Sequence, residues 1–410
     1  MLLLYNIAIR LYYLFILFAS LFNKKARFWI KGRKGLFKQI RSLIDHNTKL
    51  IWFHCSSLGE FEQGRPVIEK IREELPERKI LLTFFSPSGY EIRKNYPGAD
   101  YIFYLPLDTR KNAKKFLNLT SPEIVFFIKY EYWYHYLSIL KKRNINTFLI
   151  SGKFRPDQIF FRKYGKWFRE MLRLFNHFFI QDDESASLLK SIGIENFTVS
   201  GDTRFDRVFA IAQKVSDFAL IRNFTAGHQV LIAGSTWPED EKIIARFINE
   251  NKHGLKFIIV PHEIHERNIR ILLEMIQLKT IRYTSADQKE IHNTDVMIID
   301  TIGILSSIYQ YGSITYIGGG FGKGIHNTLE AAIFNMPVIF GPNYKKFREA
   351  VGLISHHGGF SVNDYQSFSE TITRLISNKN LLNTAGENAR TYVMSGLGAT
   401  NKIISIALTK

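Results

Sequence analysis

The chain has 410 residues, a hydrophobic fraction of 46%, a formal net charge of +18 and a single cysteine, Cys55. That length admits two ordinary domains with separate cores, and the composition excludes a disordered chain. One cysteine excludes a disulfide framework and any zinc cluster built from cysteines, and it fits a reducing compartment.

Residues 1–22 are almost wholly apolar and aromatic, broken by Asn6 and Arg10. The segment is near the ~20 residues that cross a bilayer, although Arg10 at its centre costs roughly 2.5–3.5 kcal/mol in a span. The flank carries Lys24, Lys25, Arg27, Lys31, Arg33, Lys34, Lys38 and Arg41, and no Asp or Glu precedes Asp45. A basic flank of this kind resists export, which argues against a cleaved signal peptide. Two readings stay open: a single span with the basic side inside, and a helix lying in the interface with Tyr5, Tyr12 and Tyr13 at headgroup depth. Both place residues 24–410 on the cytoplasmic face of an inner membrane. The basic stretch then meets anionic lipid, at about 1 kcal/mol per charge near the surface. Nucleic acid fits less well, because the positive charge concentrates beside the apolar segment.

Beyond the flank, apolar β-branched runs alternate with helical spacing. Strands are expected at 50–55, 79–85, 101–105, 123–128, 146–150 and 177–180, with helical segments such as 63–75 and 111–117 between them. A second series is expected at 230–233, 256–260, 296–299, 314–317, 337–340 and 360–362, interleaved with helices at 239–249, 266–276, 329–334 and 368–376. Repeated β-α alternation gives parallel sheets covered by helices. The expected organisation is α/β: an anchor helix at 1–22, a doubly wound domain at 23–205, a linker at 206–228 and a second such domain at 229–380. The closing segment, 381–410, is a candidate to cross back onto the first domain. Ligands in such sheets bind beyond the carboxyl ends of the strands, so strand-to-helix loops are where chemistry is sought.

The first such loop is Ser56-Ser57-Leu58-Gly59-Glu60. Gly59 permits a tight turn, and Glu60 reads either as a general base toward a hydroxyl or as a first-turn helix glutamate. Cys55 before it, in an apolar run, reads as a buried, inert thiol. Glu131 follows the fourth strand in Lys129-Tyr130-Glu131-Tyr132-Trp133, with the same two readings and with aromatic neighbours suited to stacking on a sugar or to a core. Lys153 and Arg155, after the fifth strand, offer positive charge to an anionic substrate. Lys163, Lys166, Arg169 and Arg173 share a helical spacing and read as a basic face, either toward an anionic lipid or membrane surface or merely solvated, the second being preferred.

In the second series, Gly234, Ser235 and Thr236 end a strand, as phosphate ligands or as a helix cap. His262 follows the next strand as a possible contact to a base or phosphate. The glycine-rich run 318–324 then leads to His326, Asn327 and Glu330. Glycines let backbone N–H groups approach a phosphate, and a following helix start favours its charge. Asn327 and Glu330 also fit a capping box, or Glu330 accepts from ribose hydroxyls. No Cys or His spacing suggests a metal site.

Several ordered pieces together resemble the 3-deoxy-D-manno-octulosonic acid (Kdo) transferases of lipopolysaccharide synthesis. They are the run from His54 to Glu60, the run from Thr83 to Gly89, Glu131-Tyr132-Trp133, the run from Gly201 to Asp206, Ala233-Gly234-Ser235-Thr236, the run from Gly324 to Glu330, Gly341-Pro342 and Phe347. The resemblance spans nearly the whole chain. It implies the GT-B fold, two Rossmann-like domains facing a cleft, and metal-independent, inverting transfer of Kdo from CMP-Kdo to the lipid A precursor on the inner leaflet, with no cofactor. It implies that Glu60 is the general base, that Glu131 is a second required carboxylate, and that Ser56, Ser57 and Gly59 border the acceptor. Gly234, Ser235, Thr236, His262, Gly324, His326, Asn327 and Glu330 then fall in the CMP-binding loops. The chain departs from the family at Ile325, where a glycine is common, and at Pro261-His262-Glu263, where many members have Pro-Arg-His; Arg267 is the nearest substitute. A soluble nucleotide-sugar epimerase or another glycosyltransferase of the same fold is the rival reading, opposed by the apolar N-terminus and basic flank.

Overall fold

The computed structural model describes residues 1–45, 48–250 and 254–409. They form two compact units, Met1–Arg207 with Leu397–Lys410, and Val208–Gly396.

The first unit is built on a seven-stranded parallel sheet. Its strands are β1 (Leu50–Cys55), β2 (Lys79–Phe84), β3 (Tyr101–Tyr104), β4 (Ile124–Ile128), β5 (Asn146–Gly152), β6 (His177–Ile180) and β7 (Phe197–Val199). Their order is β3-β2-β1-β4-β5-β6-β7, so the winding reverses between β1 and β4. Side chains on β1 alternate between two cores. Leu50 and Trp52 join one with Phe116, Tyr136 and Leu149, while Ile51, Phe53 and Cys55 join the other with Phe61, Val67 and Ile68. Both faces are covered, which is why the strands read as continuous apolar runs. Cys55 is buried and unpaired, and burial pushes its thiol well above the ordinary value, as an inert core thiol requires.

The second unit repeats the design. Its strands are β8 (Val230–Thr236), β9 (Lys256–Pro261), β10 (Thr280–Arg282), β11 (Val296–Ile298), β12 (Ile314–Ile317), β13 (Val338–Phe340) and β14 (Gly359–Ser361). The order β10-β11-β9-β8-β12-β13-β14 reverses between β8 and β12. Sequence patterning missed β7 and β10. Both are three-residue edge strands with half-buried side chains, too short and too wet to show as apolar runs.

The segment expected as a linker is largely helical, Thr203–Ala212 and Ala219–Thr225, and the division between units falls at Arg207. Of the closing helices, Lys379–Ser395 stays with the second unit and only Ala399–Ala407 joins the first. Ile403, Ile404 and Ala407 pack into the core that holds Phe61 and Ile71. Asp206 fixes this return: Oδ1 accepts from Gly398 N at 2.7 Å, and Oδ2 accepts from Thr400 N and Oγ1, each at 2.7 Å. Three residues earlier, Thr203 Oγ1 donates to Gln63 O at 2.5 Å. The Gly201–Asp206 motif therefore ties separate segments of the first unit together.

The N-terminal helix, Leu2–Ala19, is long and apolar enough to cross a membrane. It lies along the first unit. Tyr5 donates to Asp108 Oδ2, Asn6 Oδ1 accepts from His135 Nε2 at 2.7 Å, and Tyr12 meets the Trp29 edge. The opposite side leaves Leu3, Leu11, Phe15 and Phe18 exposed. In the basic flank, Arg33 turns inward. Its guanidinium lies 3.7 Å from the Trp29 ring and donates to the carbonyls of Trp29, Phe85 and Leu105. It is thus a packing residue, unlike the exposed Lys24, Lys25, Lys31, Lys34 and Lys38.

Asp206→Ala is expected to destabilise the protein by about 2–4 kcal/mol through loss of hydrogen bonds to a carboxylate. Limited proteolysis should then cut first near residue 397. An unchanged melting temperature and cleavage pattern would show that apolar packing alone holds the last helix.

Candidate active site

The two reversal points position the candidate residues. In open parallel sheets the loops leaving the adjacent central strands diverge at such a point and leave a crevice beyond their carboxyl ends. In the first unit those strands are β1 and β4; they lead to Ser56–Glu60 and to Lys129–Trp133.

Ser57 caps the Leu58–Glu74 helix, and the Glu60 carboxylate reaches back to the amides of Ser56 at 2.5 Å and Ser57 at 3.2 Å. The first-turn reading of Glu60 therefore holds: it is a capping glutamate, placed just beyond the end of β1. Its pKa is raised to about 7, first by burial and second by the charge of Glu131, with the two amide bonds pulling the other way. Gly59 sits in the first turn of this helix, and a Cβ there would meet nothing within 4 Å. The tight turn expected of it is absent; what the missing side chain supplies is open space beside Glu60.

Glu131 is 5% exposed. Its Oε2 accepts from Trp133 Nε1 at 2.6 Å and lies 3.0 Å from His54 Nε2. His54 Nδ1 is 2.9 Å from Thr83 Oγ1, which in turn accepts from Trp52 Nε1 at 2.7 Å. Nδ1 also lies 3.1 Å from the Thr83 carbonyl, and Trp133 Nε1 is 3.2 Å from Nε2. A fully buried chain, Trp52–Thr83–His54, thus reaches the carboxylate. His54 was named only within a motif by sequence reasoning; its signal is a polar residue in an otherwise apolar buried strand.

Lys129 at φ 68°, Ser151 at φ 53° and Ser235 at φ 55° are all left-handed, each at the carboxyl end of a strand. Such conformations cost on the order of 1–3 kcal/mol in non-glycine residues and cluster at functional sites. Lys153 Nζ is taken up by Asp182 and Glu184, each at 2.8 Å, so its charge is largely neutralised within the unit. Arg155 is half exposed and donates to Tyr130 Oη at 2.8 Å, one residue from Glu131. Lys163, Lys166 and Arg173 are exposed, while Arg169 donates to the carbonyls of Phe160 and Arg162.

In the second unit the reversal brings β8 beside β12. The β8–β9 register shifts between Gly234 and Thr236, and Ser235 occupies the bulge. Thr236 Oγ1 donates to Glu241 at 2.9 Å, so its hydroxyl is already engaged. The glycine-rich loop packs directly on this bulge: a Cβ on Gly318 would lie 2.3 Å from Ser235 O, and one on Gly324, at φ 136°, would strike the Phe347 ring. The helix after the loop is a single turn, Leu329–Ala332, shorter than the 329–334 expected. Its dipole is correspondingly weak. Several loop amides are also spent internally. Gly319 N donates to Asp240 Oδ2, Gly322 N and Gly324 N to Gly319 O, and His326 N to Gly318 O. Asn327 accepts from Leu329 N at 3.2 Å and donates to Glu330 Oε1 at 2.9 Å. Thr328 Oγ1 is buried with no partner among the described residues.

His326 Nε2 accepts from Trp237 Nε1 at 2.9 Å, which leaves Nδ1 as its protonated nitrogen. Burial and the neighbouring His262 lower its pKa to about 4, so it is neutral at pH 7. His262 is exposed and stacks on both partners, 4.6 Å from Trp237 and 4.5 Å from His326. Trp237 escaped sequence reasoning, since an aromatic after a strand reads as core. Arg267 lies exposed in the first turn of the Glu266–Met275 helix.

Residues 29–207 match the family model described as 3-deoxy-D-manno-octulosonic-acid transferase (kdotransferase). The chain is 26% identical over 393 residues to the 3-deoxy-D-manno-octulosonic acid transferase of Rickettsia bellii, covering 93% of this chain and 92% of that one. It is 27% identical over 335 residues to the enzyme of the same name from Aquifex aeolicus, covering 80% and 86%. Among solved structures it resembles UDP-GlcNAc 2-epimerase from Neisseria meningitidis, with a TM-score of 0.63, 16% identity and coverage of 88% and 100%, a likeness of fold alone. Residues 29–207 thus match a Kdo transferase family model, and the chain is similar along nearly its full length to Kdo transferases, which are glycosyltransferases.

Proposed function

We propose that the protein transfers Kdo from CMP-Kdo to a hydroxyl of the lipid A precursor at the cytoplasmic face of the inner membrane. The observation that carries this reading is the Glu60 carboxylate, with a pKa raised to about 7, beside the buried Glu131 at the first reversal point. A base so tuned removes a proton efficiently near neutral pH. Glu60 takes the proton of the acceptor hydroxyl; the oxygen forms a bond to the anomeric carbon of Kdo as that carbon's bond to the CMP phosphate breaks, and the phosphate leaves with the electron pair. A single displacement inverts the anomeric configuration. It needs no cofactor and no metal, provided that the leaving phosphate is met by fixed dipoles.

The second reversal point suits the donor. Ser235, Gly324 and Asn327 border a loop where backbone can approach a phosphate, and Thr328 holds an unpartnered hydroxyl there. The stacked Trp237, His262 and His326 rings offer a flat face to a pyrimidine. His326, neutral with a hydrogen on Nδ1, acts as a donor without adding charge. Glu330 and Asn327, already hydrogen-bonded to one another, suit ribose hydroxyls. Lys129, whose charge acts on Glu60, and Arg155, which donates to Tyr130, are the cations on this side of the carboxylates. In the first unit, Ser56, Ser57 and the space at Gly59 border the acceptor hydroxyl. The apolar face of the N-terminal helix, held flat against its unit, suits an interfacial anchor better than a lone span.

Glu60→Gln is expected to cut kcat by ~10²–10⁴ while CMP affinity, read by calorimetry, stays unchanged. Incubation with CMP-Kdo and tetra-acylated lipid A precursor, read by product mass, tests donor, acceptor and anomeric outcome together; full turnover in the variant would remove Glu60 from the mechanism. The pH profile supplies an independent check. Because Glu60 must be ionised, kcat/KM should climb through a limb near pH 7. Glu131→Gln removes a negative neighbour, so the residual activity should show that limb at lower pH, still above the ordinary 4.5 because burial persists. A limb that does not move would mean the two carboxylates are uncoupled. The linked stability has the opposite sense: a raised carboxylate pKa favours the folded state below about pH 4.5 and that contribution is lost as pH rises through about 7.

A further inference from the structure

The N-terminal helix does not seal against the first unit along its whole length. Beside Arg10, Tyr13 and Leu14 a cavity of 780 Å³ opens under the helix, within the ~300–1,000 Å³ typical of ligand sites. Its walls are apolar: Leu14, Trp29, Leu36, Phe37 and Leu107. Trp29 is 3% exposed, and its indole N–H has no partner among the described residues. An orphaned buried donor costs about 1–3 kcal/mol unless something accepts from it. A second recess adjoins the first, sharing Arg10 and Thr109, and is ringed by Arg110, Lys111 and Lys114. Among the described residues lining the two spaces there is no Asp or Glu, whereas Arg10, Lys34, Arg110, Lys111 and Lys114 are all cationic and exposed.

A dry slot that runs into a cationic rim matches an amphiphile with one apolar chain and a phosphate. We propose that this cavity holds one acyl chain of an anionic bilayer phospholipid, with the phosphate on Arg10, Arg110, Lys111 and Lys114 and an ester oxygen accepting from Trp29 Nε1. The occupant is a resident lipid rather than the acceptor. The cavity shares no residue with the aromatic recess that contains Glu131, and the Phe85 ring stands between them, 5.7 Å from Trp29 and 4.7 Å from Trp133. Such a lipid wedges the helix at its middle while Tyr5 and Asn6 clamp its start. Charge and apolar area then act together, the combination that lasting interfacial attachment requires.

The proposal rests on the membrane part of the preceding reading, but not on its chemistry, since lipid binding is measured without turnover. The full-length protein in non-ionic detergent is titrated with dioleoyl phosphatidylglycerol or dioleoyl phosphatidylcholine and followed by native mass spectrometry. One phosphatidylglycerol per chain should bind in preference to phosphatidylcholine. The double variant Lys111→Glu/Lys114→Glu should weaken phosphatidylglycerol roughly tenfold or more. Leu14→Trp, a change at an exposed position that fills the slot, should lower retention of both lipids while the melting temperature holds. Equal retention of the two lipids by the unaltered chain, or phosphatidylglycerol binding that neither variant alters, would overturn the proposal. Displacement of phosphatidylglycerol by the acylated, phosphorylated disaccharide acceptor would also overturn it, because the slot would then belong to the substrate.

Discussion

A carboxylate is buried where the first sheet reverses its winding, and the cluster at that strand end depends on it. Glu131 is kept out of water yet held on two sides, by the Trp133 indole and His54 Nε2. A buried acid without such partners would pay a large desolvation penalty or take up a proton. The indole and the imidazole hold it beside Glu60. The charge of Glu131 helps move Glu60 from an ordinary surface acid to a group that exchanges its proton near neutrality. The arrangement is therefore distributed over β1, β2 and β4, since Trp52, Thr83 and His54 must all be in register for the imidazole to reach Glu131.

The second unit solves a different problem with the same topology. Its strand-end loops are braced by backbone contacts and stacked rings. Gly318 lies so close to the Ser235 bulge that no side chain fits between them. The short helix beyond the loop contributes little, and a good part of the loop's own amides brace the loop itself. Asp240 has a structural share in this, tying Gly319 N, Trp237 N and Tyr316 Oη to one carboxylate. The Trp237–His326 hydrogen bond then selects the histidine's tautomer and fixes the orientation of the stacked rings.

Much of the fold was legible because parallel strands covered on both faces must be apolar throughout, and runs such as 50–55 and 314–317 are. The edge strands β7 and β10 were not, because half-buried strands of three residues carry no period. Glu60 and Glu131 were legible as carboxylates just after strands, but their coupling was not, since it depends on which strands are neighbours in space. Lys153 looked available until Asp182 and Glu184 closed on it. Arg33 looked like one more surface cation until its guanidinium was found among three carbonyls and an indole. Long side chains near an apolar flank can fold inward or outward, and local sequence does not distinguish the two.

The Asp206 clasp on Gly398 and Thr400 makes the second unit an insertion within the first. During synthesis the N-terminal sheet emerges early, but the patch around Phe61 and Ile71 that awaits Ile403 and Ile404 stays uncovered until the whole second unit has been made. The middle of the polypeptide can complete its own core first, reversing the usual vectorial order. Removing residues from 397 onward therefore strikes at the beginning of the molecule rather than at its far side.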